Sequence, residues 1–204
     1  MPELHLRPEG PADYAAVEFL TREAFWNVYK PGCDEHYLLH QLRRSPGYLP
    51  ALHLLALQGE QIVGSIVYSR SHIEGADGRF TDTLTFGPLS VLPAWQGQGI
   101  GSRLVLRTLD MARQQGERAV LIMGHPAYYH RFGFRPAADY GIVLPGGSSP
   151  PPFMALELYP GALQGVSGIF REDEAFLDIS EEAVEAFDRA FPPRVKERRP
   201  GQLV

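Results

Sequence analysis

The stretch that decides the fold is LTFGPLSVLPAWQGQGIGSRLVLRTLDMARQQGERAVLIMGHPAYYHRFG, residues 84–133. It predicts a strand, a glycine-rich turn, an amphipathic helix, a buried strand and a short aromatic helix, in that order. A strand, a helix and a second strand in succession predict a right-handed crossover between two parallel strands. The glycine-rich turn then lies at the carboxyl end of the first strand.

The crossover helix is predicted from Ser102 to Gln115. Gly116 follows as a stop signal, and the run AVLIM at residues 119–123 predicts a strand covered on both faces. The apolar face of the helix has the spacing of an α-helix and consists of Leu104, Val105, Thr108, Leu109 and Ala112.

The turn before this helix carries glycine at alternate positions, Gly97, Gly99 and Gly101. Glycine allows positive φ angles and a close approach of the backbone to a ligand. The unpaired amides at a helix start form a concave site for an anion such as a phosphate. The predicted binding residues of this turn are Gln96, Gly97, Gln98, Gly99, Ile100, Gly101 and Ser102.

Two other kinds of phosphate-binding turn do not fit the sequence. A nucleoside triphosphatase turn requires Lys and then Ser or Thr after its last glycine, which this chain lacks. A dinucleotide turn requires a glycine at 102 and an acidic residue after the next strand, whereas the chain has Ser102 and Met123. A turn without a ligand, as a merely flexible loop, is the remaining alternative.

The strand before the turn changes its apolar phase at Gly87 and Pro88. Leu84 and Phe86 share one parity, whereas Leu89 and Val91 share the other. A slip by one residue predicts a β-bulge that separates this strand from its parallel neighbour. A simple kink is the alternative.

Two motifs in this stretch resemble the GNAT superfamily of N-acetyltransferases. The first runs through Leu89, Val91, Pro93 and Gln96 to Gly99 and Gly101, and the second places Tyr129 four residues before Gly133 and Phe134. The strings EHYLLHQLR, TFGPLSVLP, GHPAYYHRFGF and MALELYPGAL are similar to a bacterial branch of predicted acetyltransferases.

The resemblance implies an α/β fold with a mixed central sheet, a splayed pair of parallel strands and flanking helices. It implies a GNAT domain at residues 1–167. Residues 168–204 are expected to be a C-terminal extension packed on the core, because Phe170, Phe176, Leu177 and Phe187 are too apolar for a free tail. It also implies acetyl-CoA as the acyl donor, with pantetheine beside Leu89, Ser90 and Val91 and the pyrophosphate on the glycine turn. The chain departs from many members after the second parallel strand, where Gly124 begins the sequence Gly-His-Pro instead of an Asn.

The implied reaction is direct transfer of an acetyl group from acetyl-CoA to a primary amine of a small molecule or protein. Tyr129 is the implied acid that protonates the departing thiolate; its alternative role is that of a packed aromatic, and Tyr128 and His130 are assigned to packing or the rim. The general base is open among Asp82, Glu23, Glu35, His36, His72 and His125. Nothing near Cys33 marks an activated nucleophile, and no metal is expected. A catalytically silent acetyl-CoA-sensing module is the alternative function.

Composition sets further bounds. A net charge of -5 and a pI near 5.8 disfavour a nucleic acid partner. No apolar run reaches membrane-spanning length, and the single Cys33 fits a reducing compartment, so we expect a cytoplasmic protein. An amine acceptor is the expected partner, and a homodimer is compatible with the sequence.

The flanking segments also carry predictions. The strands are expected at 4–8, 52–57, 61–73, 134–143, 153–159 and 168–173, and the helices at 11–29, at 34–44 with Asp34 as N-cap, and from Ser180 to Pro192. The basic tail at 194–199 is predicted to be solvated or disordered.

Overall fold

The computed structural model describes residues 4–202 as a mixed α/β protein. Its strands are β1 (Leu4–Pro8), β2 (Leu54–Gln58), β3 (Gln61–Glu74), β4 (Phe80–Val91), β5 (Ala119–Met123), β6 (Arg135–Pro136), β7 (Ile142–Val143), β8 (Phe153–Glu157) and β9 (Gly168–Arg171). Its α-helices are α1 (Tyr14–Phe25), α2 (Glu35–Leu42), α3 (Ile100–Gln114), α4 (Pro126–Tyr129) and α5 (Glu181–Asp188).

The strands form one sheet in the order β1-β2-β3-β4-β5-β8-β6, and β9 pairs with β3 and β7. The chain divides into two compact units. The first contains residues 4–67, 88–105 and 174–202, and the second contains residues 68–87 and 106–173.

The first unit is built on antiparallel strands and the helix pair α1 and α2. Leu6 lies opposite Ala56, and Leu55 lies opposite Ser65. Its apolar core joins one face of both helices to the strands and includes Val17, Leu38, Leu39, Leu42, Leu55, Leu57 and Val67. Burial of this shared face holds the helices on the sheet.

The second unit contains the parallel pairing of β4 with β5, where Leu84 lies opposite Val120. β5 pairs antiparallel with β8, so that Leu121 lies opposite Ala155. Residues of both strands are buried on both faces, as the run AVLIM predicts. The core of this unit includes Ile73, Ala119, Leu121, Phe153, Ala155 and Phe170.

The decisive stretch folds largely as predicted. The crossover helix α3 begins at Ile100, two residues before the predicted start, and all five residues of its predicted apolar face are buried. Gly116 ends the helix with a φ of 77°, and Gly133 ends the aromatic turn with a φ of 93°.

Three predicted helical features are wrong. The first helix ends at Phe25 rather than Tyr29, because Asn27 adopts the left-handed conformation with a φ of 59°. Asp34 precedes α2 but its side chain does not cap the helix; instead it pairs with Lys30. Helix α5 ends at Asp188, several residues before the predicted end, although Ser180 caps it by accepting a hydrogen bond from the amide of Ala183.

Two further predictions are corrected beyond Gly133. Residues 134–143 do not form one strand, because a 3-10 turn at Ala137–Tyr140 separates β6 from β7 and Gly141 leaves that turn with a φ of 69°. The tail at 194–199 is not simply solvated: its backbone makes hydrogen bonds with Trp26 and Asn27 of the first unit.

Candidate active site

The glycine turn presents a row of unpaired backbone amides in the first unit. Gly97 and Gly99 have φ angles of 74° and 81°, which favour glycine strongly. Within the described residues, the amides of 97–102 donate to no protein acceptor, whereas the amide of Arg103 donates to the Gly99 carbonyl at 3.0 Å. The start of α3 therefore offers its positive end to an anion.

Gly101 has a different role from the other two glycines, because it lies inside α3 and is buried. A β-carbon at Gly97 or Gly99 would meet no atom within 4 Å, so the space outside the turn is open. The turn is tied to its own strand, because the Gln96 side chain donates to the Val91 carbonyl at 3.0 Å. The Gln98 side chain likewise donates to the Ala94 carbonyl at 3.2 Å.

The start of α3 lies close to the sheet because β3 has a glycine there. A β-carbon at Gly64 would lie 3.0 Å from Ile100 and 3.2 Å from Leu104. It would also lie 3.3 Å from the Ser90 carbonyl. Gly64 thus lets the helix start and the end of β4 pack against β3.

The end of β4 carries the residues predicted to line the pantetheine arm. Leu89 and Val91 are half-buried, whereas Ser90 is buried. The Ser90 hydroxyl donates to the Thr21 hydroxyl of α1 at 3.1 Å, so α1 lies directly beside this part of β4. Gly87, at the predicted bulge, has a φ of 155°, which an L-residue rarely adopts.

Tyr129, the predicted acid, lies half-buried in an aromatic cluster of the second unit. Its ring centroid is 5.8 Å from that of Phe86 and 5.8 Å from that of Phe134. Tyr128 contacts it edge-on at 5.0 Å. These contacts fix the orientation of the ring.

Gly124 positions this tyrosine, and sequence reasoning noted it only as a departure from the family pattern. A β-carbon at Gly124 would lie 2.6 Å from Cδ2 of Tyr129. This distance is too short for two carbon atoms, so any residue larger than glycine would collide with the ring. The ring therefore packs against the backbone where β5 ends. The only sequence signal was the glycine directly after a buried strand.

Tyr128, His125 and His130, to which the sequence assigned lesser or alternative roles, lie in or beside α4. Tyr128 is half-buried, and the guanidinium of Arg131 lies 4.9 Å from its ring centroid. His125 and His130 are exposed. Both histidines flank α4, at its N-cap and just after its last residue.

The candidate bases differ in their surroundings. Glu23 pairs with Arg194 at 2.7 Å, and His36 lies 3.1 Å from Asp188, with burial lowering its pKa to about 4. Burial raises the pKa of Glu35 to about 7, so this carboxyl titrates near neutrality. The candidate bases His72 and Asp82 belong to the second unit. His72 contacts the Phe80 ring, and Asp82 lines a cavity of about 350 Å³ at the start of β4.

The surroundings of Cys33 and of the α2 histidines indicate structural rather than catalytic roles. Burial raises the pKa of the Cys33 thiol, which opposes formation of a thiolate nucleophile. His40 pairs with Glu18 at 2.9 Å rather than with His36. Among residues 4–202, no three His, Cys, Asp or Glu side chains gather as a metal-binding set, and no helix has the length and apolar character to cross a membrane.

Comparisons with known proteins identify the family of the chain. Residues 50–136 match the family model of the acetyltransferase (GNAT) domain. The N-acetyltransferase YhbS of Escherichia coli K12 is 32% identical over 172 residues, which cover 84% of this chain and 97% of YhbS.

Two solved structures are similar in fold. The crystal structure of Escherichia coli YhbS in complex with CoA has a TM-score of 0.78 at 28% identity, covering 88% of this chain and 95% of that chain. A GNAT-family acetyltransferase from Brucella melitensis in complex with acetyl-CoA has a TM-score of 0.70 at 29% identity, covering 86% of this chain and 99% of that chain. The chain belongs to the GNAT family of N-acetyltransferases and is therefore an acyltransferase.

Proposed function

We propose that this acyltransferase moves an acetyl group from acetyl-CoA directly to a primary amine of a small molecule or protein. The observation that carries the proposal is the row of unpaired amides at 97–102, where the helix start and two positive-φ glycines form an anion site. The two relatives solved with CoA and acetyl-CoA support the choice of donor.

The residues present fit such a donor. The amides of 97–102 would hold its pyrophosphate without any charged side chain. Leu89, Ser90 and Val91 would lie along its pantetheine arm, and the donor would supply an acetyl group activated as a thioester. Since Gly124 stands where many members have an Asn, the arm is held without a side-chain contact at that position.

In the transfer, the amine nitrogen forms a bond to the acetyl carbon, and the bond from that carbon to sulfur breaks. Backbone amides at the end of β4 polarise the carbonyl. Tyr129 donates its phenolic proton to the departing sulfur, since a phenol ordinarily has a pKa of about 10 and is protonated at neutral pH. A base takes the proton that the amine loses, and the candidates for this role are Asp82, Glu23, Glu35, His36, His72 and His125.

Calorimetry and an amine panel test the proposal together. The panel consists of spermidine, Nα-acetyl-lysine, kanamycin, benzylamine and a peptide with an N-terminal alanine, and released CoA is measured as free thiol. Saturable binding of acetyl-CoA with amine-dependent release of thiol is the expected result. Binding without transfer to any amine would favour a sensing module, and absence of binding would contradict the assignment of the turn.

A further inference from the structure

The C-terminal strap, defined as residues 189–202, is held to the first unit through one buried side chain. The Asn27 carboxamide is 3% exposed and uses both of its ends. Its nitrogen donates to the Val195 carbonyl at 3.1 Å, and its oxygen accepts from the amides of Glu197 at 3.1 Å and Gly32 at 2.7 Å. The same carboxamide therefore closes the loop after α1 and docks the strap.

Further bonds reinforce this docking. The indole of Trp26 donates to the same Val195 carbonyl at 3.0 Å. Gln202 donates from its side chain to the Asn27 carbonyl at 3.1 Å. Asn27 also has the only positive φ among the non-glycine residues that the structure describes, 59°, a conformation that costs free energy and persists where surrounding contacts enforce it.

The strap begins at a buried ion pair. Asp188, the last residue of α5, accepts from Nε of Arg22 at 2.5 Å and from its Nη2 at 3.1 Å. The Arg22 side chain is 1% exposed and its guanidinium lies 4.1 Å from the Trp26 ring centroid and 5.5 Å from that of Phe191. The root of the strap is thus fixed by bidentate hydrogen bonds and two aromatic rings.

The helix that receives the strap also contacts the strand of the proposed site. Thr21 precedes Arg22 on α1 and accepts the hydrogen bond from Ser90 of β4, with both hydroxyl groups buried. The end of α1 is therefore bonded both to the strap and to the strand predicted to line the pantetheine arm. Loosening of the strap would therefore affect the end of α1 and, through Thr21, the part of β4 at Ser90.

We propose that the strap is a positioning element for the acceptor amine, with Asn27 as the positioning residue. By holding the end of α1 and the loop at 27–32 in one conformation, the strap fixes the wall beside β4 against which an acceptor is received. This inference rests on the proposed function. It differs from a role in donor binding, because within the described part of the chain the amides of 97–102 make no hydrogen bond with the strap.

The test uses two single variants of the full chain, Asn27→Gly and Trp26→Phe. Glycine adopts the positive φ readily, so Asn27→Gly removes the carboxamide without backbone strain. Trp26→Phe keeps an aromatic ring over Arg22 but removes the donor to Val195. Hydrogen exchange of residues 189–202 measures strap release, calorimetry gives the acetyl-CoA Kd, and the amines of the panel above give the acceptor KM and kcat.

The expected result for Asn27→Gly is faster exchange in the strap and an acceptor KM raised about tenfold, with kcat and the acetyl-CoA Kd within about twofold of wild type. Trp26→Phe should also raise the acceptor KM while preserving kcat and the acetyl-CoA Kd, but by a smaller factor. Asn27→Asp keeps the accepting oxygen and tolerates the left-handed conformation, so it should partly restore the acceptor KM. Arg198→Ala, an exposed change within the strap, is the control and should behave as wild type.

Three outcomes for Asn27→Gly would overturn the inference. The first is unchanged hydrogen exchange in the strap, and the second is faster exchange with a wild-type acceptor KM. The third is an acetyl-CoA Kd raised as much as the acceptor KM, which would indicate general loosening. Absence of transfer by the wild type to every amine is a failure of the proposed function itself, and it is recognised before any variant is compared.

Discussion

At the level of single residues, the glycine turn depends on backbone conformation. Gly97 and Gly99 have positive φ angles, whereas Gly101 is buried within α3. The alternation of glycines predicted the turn correctly, but only the structure separates the two roles. A test of anion binding therefore belongs at Gly99.

We expect Gly99→Glu to weaken acetyl-CoA binding by more than about tenfold, because a like charge beside the pyrophosphate costs over about 1.4 kcal/mol. Gly78→Glu is the matched control: its φ is 76° and a β-carbon there also meets no neighbour, but it lies in the hairpin before β4. Calorimetry with acetyl-CoA compares the two. Equal affinities in both folded variants would remove the turn from the binding site.

Tyr129→Phe removes a hydroxyl and keeps the ring contacts with Phe86 and Phe134. Turnover should fall by on the order of a hundredfold, the scale of one general acid, with acetyl-CoA affinity preserved. Tyr128→Phe is the control. A loss of turnover in Tyr128→Phe alone would assign the acid to Tyr128.

Gly124→Ala tests the positioning of the same tyrosine. The added methyl group would overlap the Tyr129 ring and force it to move, so turnover should fall although every functional group is still present. Steady-state kinetics measures the turnover, and the crystal structure of the variant shows whether the ring has moved. Wild-type turnover with an unmoved ring would show that the backbone, rather than Tyr129, yields.

At the level of secondary structure, the elements with strong local periodicity could be predicted, and those fixed by distant contacts could not. The face of α3 and the run AVLIM follow from their own residues. Asn27 ends α1 through bonds to residues about 170 positions away, which no local pattern records. For the same reason the basic tail was expected to be solvated although its backbone is bonded.

Helix α5 is attached to α1 by an ion pair whose contribution can be measured. Arg22→Met leaves Asp188 without its guanidinium partner in a largely buried place, so the free energy of unfolding should fall by about 3 kcal/mol. Arg70→Met removes an ion pair with Glu117 whose Arg side chain is 48% exposed, and should cost less than about 1 kcal/mol. Urea denaturation of both variants makes the comparison; equal losses would contradict the assigned role of the buried pair.

At the level of the whole molecule, family membership and a mixed sheet with one parallel pair were predictable because the two motifs occur in the right order. The candidate site was predictable only in part: the turn and the aromatic helix have sequence signals, whereas the contact of Thr21 with Ser90 joins distant segments. The acceptor is not marked by any motif.

The protein should lose stability in mild acid through His53. Its side chain is fully buried, and burial lowers its pKa from 6.5 to about 3. Between these values the unfolded state binds a proton that the folded state does not, so this group lowers stability as pH falls below 6.5, by up to about 1.4 kcal/mol per pH unit.

His53→Gln removes this proton linkage. The free energy of unfolding of the variant minus that of wild type should increase steadily as the pH is lowered from 7 to 5, about the range in which the unfolded imidazole becomes charged, so the variant gains stability relative to wild type. Urea denaturation at several pH values measures the difference, and values at pH 8, above both pKa values of about 6.5 and 3, serve as the reference. A difference that does not change with pH would contradict the neutral, buried state of His53.

The most direct test of direct acetyl transfer follows the acetyl group itself. Acetyl-CoA labelled in its acetyl carbons is incubated with wild-type protein and the amine panel, and the products are identified by mass spectrometry. The account predicts that the label appears on an amine nitrogen with one equivalent of free CoA, and that Tyr129→Phe slows its appearance. Label that stays on bound acetyl-CoA with every amine would contradict it.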